Sequence, residues 1–109
     1  MELTVDKNRE IYRLRELFPH EVEVRVRRSH DGGFVAEILT FKGLLTDAET
    51  FSELIEMIND AVITYFEIPK EYVSYMPNYV PPLAIAQEFG AFPTFDGERN
   101  VRLPLAMNL

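Results

Sequence analysis

The residue types best suited to chemistry here are carboxylates. Residues 31–75 hold nine acids against only Lys42 and Lys70, a charge of −7 within that stretch. Asp47, Glu49, Glu53, Glu56 and Asp60 form its densest part. Carboxylates so placed have two uses: converging on a divalent cation for hydrolysis, or presenting a negative face to a basic surface. A minimal metal-dependent nuclease needs three or more carboxylates meeting at one point. Asp31 falls in a turn and Glu37 on a strand, while Asp47, Glu49 and Glu53 surround a helix start, where the helix dipole favours acids in any case. The sequence therefore points to docking of a basic protein by Asp47, Glu49, Glu53, Glu56 and Asp60, with the nuclease as the alternative.

Other catalytic material is sparse. The histidines are His20, at a strand start, and His30, in a turn, and neither has a spacing to Glu that suits zinc. Ser29 beside His30 would point to the opposite face of the strand. Cysteine is absent, which removes disulfides and thiolate chemistry together. No metal or cofactor is expected, and no catalytic residue is assigned. Arg25, Arg27 and Arg28 make a short basic patch, but Glu21 and Glu23 share its face, so salt bridges across strands are expected rather than nucleic-acid contacts.

The elements that position these groups follow from pattern. Val22, Val24 and Val26 alternate with Glu21, Glu23, Arg25 and Arg27, as in a half-buried strand. His30-Asp31-Gly32-Gly33 supplies a hairpin turn and Phe34–Ile38 the return strand. Phe41–Leu45 predicts a third strand, followed by a polar loop from Thr46 to Thr50. Thr50 and Glu53 have capping-box spacing. Phe51–Phe66 then puts Leu54, Ile55, Ile58, Ala61, Val62 and Tyr65 on one helical face and Glu53, Glu56, Asp60 and Thr64 on the other, and Pro69 ends the helix. Upstream, residues 8–17 predict a short helix or arm stopped by Pro19. Downstream, 71–76 reads as a fourth strand, 83–89 as a short helix ended by Gly90, and 100–105 as a last strand.

The 109 residues suit one domain, and 47% hydrophobic content with eight Phe and five Tyr supports a packed core. No run of about 20 apolar residues and no basic-then-apolar leader is present, which predicts a cytoplasmic protein. The aromatics Tyr75, Tyr79, Phe89, Phe92 and Phe95 exceed what a Pro-rich tail buries by itself, and they are expected to form an oligomer interface, as in a homodimer.

Four segments together resemble the HicB antitoxin family: the strand VEVRVRRS, the turn HDGGFVAEI, the segment FKGLLTDAET and the helix FSELIEMINDAVITYF. The matching positions are Asp31-Gly32-Gly33-Phe34-Val35-Ala36, Gly43, Thr50, Glu53 and Ala61, and the likeness covers residues 22–67. It implies an α+β fold: a β-β-β-α-β unit akin to a truncated ribonuclease H fold, an antiparallel sheet packed on one amphipathic helix. On that scheme residues 1–19 are an arm or short helix, 20–76 the α+β domain, and 77–109 a Pro- and aromatic-rich extension packing on the domain or on a partner subunit. The resemblance also implies an antitoxin that neutralises a small basic HicA-like RNA-cleaving toxin by masking its active surface, with a stand-alone homo-oligomeric relative that takes another partner as the alternative ahead of the nuclease. Relatives of this kind often carry a C-terminal DNA-binding module. Here Arg99–Leu105 looks like the opening strand of a ribbon-helix-helix, yet four residues follow it, and 78–92 offer at most one short helix. DNA binding is therefore not expected.

Overall fold

The computed structural model of the chain describes residues 5–91 and 98–106. Its elements in order are α1 (Val5–Arg15), β1 (Glu21–Arg28), β2 (Phe34–Ile38), β3 (Leu44–Ala48), α2 (Phe51–Tyr65), a 3-10 turn (Lys70–Tyr75), β4 (Asn78–Tyr79), α3 (Leu83–Ala91) and β5 (Glu98–Ala106). The fold is α+β. Five antiparallel strands form a curled sheet in the order β3-β2-β1-β5-β4.

Alternation sets which way the sheet faces. Val22, Val24 and Val26 of β1, Phe34, Ala36 and Ile38 of β2, and Val101 and Leu103 of β5 are all buried on one side. Above them lies α2, mainly over β2 and β3, contributing Phe51, Leu54, Ile58 and Val62. Each such aliphatic side chain, fully buried, stabilises by about 1.5–3 kcal/mol. Ile11, Leu14 and Phe18 from α1 and the segment after it complete the core. The other side of the sheet is polar. Directly opposed pairs there are Arg25 with Glu37, Glu23 with Arg102, and Arg27 with Glu98. Arg25 bonds Glu37 at 3.1 Å and lies 4.0 Å from Glu98. Of the basic patch, Arg25 thus forms the expected cross-strand bridges, to the strand on either side of it, because residues opposed across strands stand closer than those two apart along one.

Helix α2 ends in a Schellman motif. Ile68 N–H reaches Ile63 C=O at 3.1 Å and Glu67 N–H reaches Thr64 C=O at 3.0 Å, with Glu67 in the left-handed region at φ 54° and Ile68 buried. The stop therefore precedes Pro69.

Several expectations need correction. The third strand runs Leu44–Ala48 and takes in residues expected in a loop. Residues 71–76 are not a strand: Tyr72 N–H bonds Pro69 C=O and Met76 N–H bonds Val73 C=O, the spacing of a 3-10 turn. Tyr72 and Tyr75, three apart, then both turn toward the core. The stretch from 77 onward supplies two strands of the sheet, β5 lying between β1 and β4. Pro104 sits in this inner strand without breaking a bond. Its carbonyl accepts from Val80 at 3.1 Å, so its donorless nitrogen faces the side where two-residue β4 has already ended.

Tyr79 is not available to a second subunit. It is 1% exposed, its hydroxyl donates to Pro19 C=O at 2.7 Å, and its ring lies 6.5 Å from that of Phe18. Burial pushes its phenol pKa well up. Asn59 of α2 holds the backbone of the same residue: its Oδ1 accepts from Tyr79 N–H at 2.7 Å and its Nδ2 donates to Tyr79 C=O at 2.9 Å. Asn59→Ala leaves both backbone groups without that partner, and we expect a loss of about 2 kcal/mol, with Tyr79→Phe costing about 1 kcal/mol; urea denaturation would show a lower midpoint at unchanged slope in both. In the opposite direction, Glu67→Gly relieves the left-handed strain and should stabilise by about 0.5–1 kcal/mol in the same assay.

Candidate partner-binding surface

The candidate surface is built around the start of α2. Thr50 is the N-cap, with extended backbone, and its hydroxyl accepts from Glu53 N–H at 3.1 Å. That bond fixes where the helix begins and hence the phase of every residue after it. Glu53, Glu56 and Asp60, at spacings of three and four, fall on the outer side of α2 and are all exposed. Asp47, on β3, points to the polar face of the sheet opposite Val35, and Glu49 occupies the link between β3 and the cap; both are exposed.

These five acids do not converge on a single point. Asp47, Glu49 and Glu53 line a hollow of about 510 Å³ whose other wall is the β1–β2 turn with Ser29, Asp31, Gly32 and Gly33. Glu56 and Asp60 line a second, of about 460 Å³, beside Asn59, Asn78 and Val80. A groove of about 550 Å³ adjoins the helix start, floored by Phe34, Phe51, Ile55, Pro81 and Ala86 and edged by Glu49, Thr50 and Arg28. Arg28 lies on the helix-covered side of the sheet, its guanidinium 4.7 Å from the Phe34 ring centroid, while Phe34 meets Phe51 edge-on at 6.2 Å. The surface is therefore an apolar groove with acidic hollows nearby.

Asp31 joins this surface although its place in a turn gave it no role in the sequence. Ser29 Oγ donates to its carboxylate, and Gly33 N–H also reaches it at 3.3 Å. The Ser29 bond, and then the Gly33 amide, hold its carboxyl below the usual aspartate range. The turn is tight because Gly33 passes so close to β3 that a Cβ there would stand 2.8 Å from the Ala48 carbonyl. The Asp-x-Gly spacing is the signal for this side chain-to-backbone turn. Asn59 was likewise passed over; a lone amide among the half-buried residues of α2 was its signal.

Of the expected interface aromatics, Tyr75 is half-buried against the core, with its carbonyl accepting from Arg15 Nε at 2.7 Å, and Tyr79 is buried as described. Phe92 and Phe95 lie outside the described residues, as does the side chain of Phe89. His20 and His30 are exposed at opposite ends of β1. Among the described residues no group of three or more His, Asp or Glu is placed to hold a metal ion, and no helix is long and apolar enough to cross a membrane. Comparison with models of known protein families, with curated proteins and with solved structures yields no match.

Ser29→Ala removes the largest cause of the Asp31 shift, so the Asp31 pKa should rise toward the usual value of about 3.9. A carboxyl with a depressed folded pKa contributes stability that is present above its unfolded pKa and lost as pH falls through the folded one. The variant should therefore lose less stability than the parent on acidification below that range. NMR titration of the Asp31 carboxyl, with melting curves across the same pH values, checks both.

Proposed function

We propose that this chain is a partner-binding protein of the antitoxin kind, which docks a small basic RNA-cleaving protein on the α2 surface and masks its active face. The observation that carries this reading is the conjunction of an apolar groove (Phe51, Ile55, Pro81, Ala86) with exposed acids beside it (Asp47, Glu49, Glu53, Glu56, Asp60). Protein interfaces share this composition: an apolar centre excludes water, and charges at its margin steer the encounter and fix orientation. The same charges disfavour a phosphate backbone as the ligand. Resemblance of residues 22–67 to HicB antitoxins supports a basic toxin of HicA type as the occupant, and no catalytic step is assigned to this chain.

In this reading the acids act mainly on association and the groove on retention. Reversal of any one exposed acid should change affinity by less than about 1 kcal/mol. Glu53→Lys, Glu56→Lys and Asp60→Lys together should slow association by about a hundredfold at low salt, with a smaller effect at high salt. The test is capture from native lysate by the tagged chain at low and high salt, with mass determination of what is retained and stopped-flow mixing of the purified pair. A small basic RNA-cleaving protein that is inhibited when bound, and lost with the triple variant, supports the proposal. Retention of nothing but the chain itself overturns it.

A further inference from the structure

The two edges of the sheet are unlike. Strand β4 is two residues long and runs into Pro81 and Pro82, devices that blunt an edge. Strand β3 is five residues long without proline, and among the described residues no strand pairs with its outer side. Its free groups can be named from the register. Ser29 N–H to Gly33 C=O and Leu39 N–H to Glu23 C=O, both 2.8 Å, mark the hydrogen-bonded pairs of β1 and β2. Residues 34, 36 and 38 therefore turn their backbone groups to β3, where they meet 48, 46 and 44. Leu45 and Asp47 are left with N–H and C=O directed away from the sheet.

We propose that β3 pairs antiparallel with β3 of a second copy of this chain, about a two-fold axis at Thr46, joining two sheets into one of ten strands. Around that axis Leu45 lies opposite Asp47 of the second copy, so the unpaired groups on each side become each other's partners. The ends of the strand carry opposite charges: Lys42 precedes it and Glu49 follows it. Both are exposed, and neither has an ion-pair partner among the described residues. About this axis Lys42 faces Thr50 and Glu49 faces Gly43 of the other copy, so each Lys42 comes one position from the other copy's Glu49, within reach of a lysine side chain, twice by symmetry. Charge complementarity thus selects a second copy in this direction, whereas parallel pairing would set like charges together. The side chains flanking the edge agree. Leu45 is 65% exposed and Tyr65 50%, with Tyr65 stacked on Phe41 just ahead of the strand at 4.6 Å. Met57 lies about 160° around α2 from Asn59, which faces β4, so it looks toward the β3 side.

This inference does not depend on the identity of any basic partner, and its test needs none. Sedimentation equilibrium of the full chain from micromolar to near-millimolar concentration should show a reversible dimer. Lys42→Glu and Glu49→Lys should each weaken it roughly tenfold, two ion pairs being replaced by repulsion, and the two changes combined should restore most of the affinity. Leu45→Pro removes an N–H directed away from β2 and should give a monomer with an unchanged circular dichroism spectrum. A single monomeric mass throughout overturns the proposal. So does a dimer indifferent to the charge reversals, or one weakened by each and not rescued by the pair. Because both charged positions are exposed, that rescue decides the matter even where the proline variant fails to fold.

Discussion

The grip on Tyr79 is the interaction on which the rest of the arrangement depends. A sheet buried on one side needs a roof across its whole width, and α2 lies mainly over β2 and β3, touching the far side at β4. Tyr79 closes the remaining end. Its ring fills the space beside Phe18, its hydroxyl satisfies the Pro19 carbonyl, and Asn59 satisfies its backbone from α2. Three segments far apart in sequence are thereby fixed together: the end of the N-terminal helical region, the middle of α2, and β4. Every polar group in the junction is paired, so burying them carries little penalty.

That junction also fixes the rotation of α2. With Asn59 held toward β4, Ile58 and Leu54 must face the sheet, and Glu53, Glu56 and Asp60 must face out. The stripe of acids is thus determined from inside, by the clamp and by the Thr50 cap at the start of the helix. The polar side of the sheet is neutralised differently. Its charges alternate between opposed strands, Arg25 with Glu37 and Glu23 with Arg102, and such a surface satisfies itself. The acids around α2 have no ion-pair partner among the described residues, which leaves their charge to offer another molecule.

Much of this was legible in the sequence, and the unread parts have physical reasons. The valine alternation of β1, the Asp-Gly-Gly turn and the 3.6-residue period of α2 are strong local signals, and all three elements lie where the pattern placed them. The end of β3 was misplaced because Asp47 and Ala48 are weak strand formers; pairing with β2 holds them extended, which no local preference could announce. Glu71–Met76 carries strand-favouring Tyr72, Val73 and Tyr75, yet the i+3 bonds to Pro69 and Val73 wind it into a 3-10 turn. Insertion of β5 beside β1 is non-local and cannot be read from either segment separately. The exposure of Glu53, Glu56 and Asp60 followed directly from helix phase. The inward fate of Tyr79 did not, because an aromatic residue in a Pro-rich stretch looks the same whether its pocket belongs to its own chain or to another.

The two surfaces proposed for this protein lie on different sides of one helix. Glu56 and Asp60 stand about 60° and 100° around α2 from Asn59, on its outer and β4-facing side, whereas Met57 and Ala61 stand about 160° away, toward β3. A partner in the groove beside Ile55 and Pro81 therefore approaches from the side away from the β3 edge, and a continuous sheet would set two such grooves on the same face of one assembly. The surfaces meet at the end of β3, where Asp47 and Ala48 line the hollow and Glu49, which follows the strand, lines both hollow and groove. In the dimer the Glu49 carboxylate is drawn to Lys42 of the other copy, leaving Asp31, Asp47 and Glu53 around the hollow to face a basic ligand. Self-pairing thus takes one charge from the docking surface while aligning two copies of it, and a bivalent arrangement of that kind retains a partner with two sites more strongly than either groove does separately.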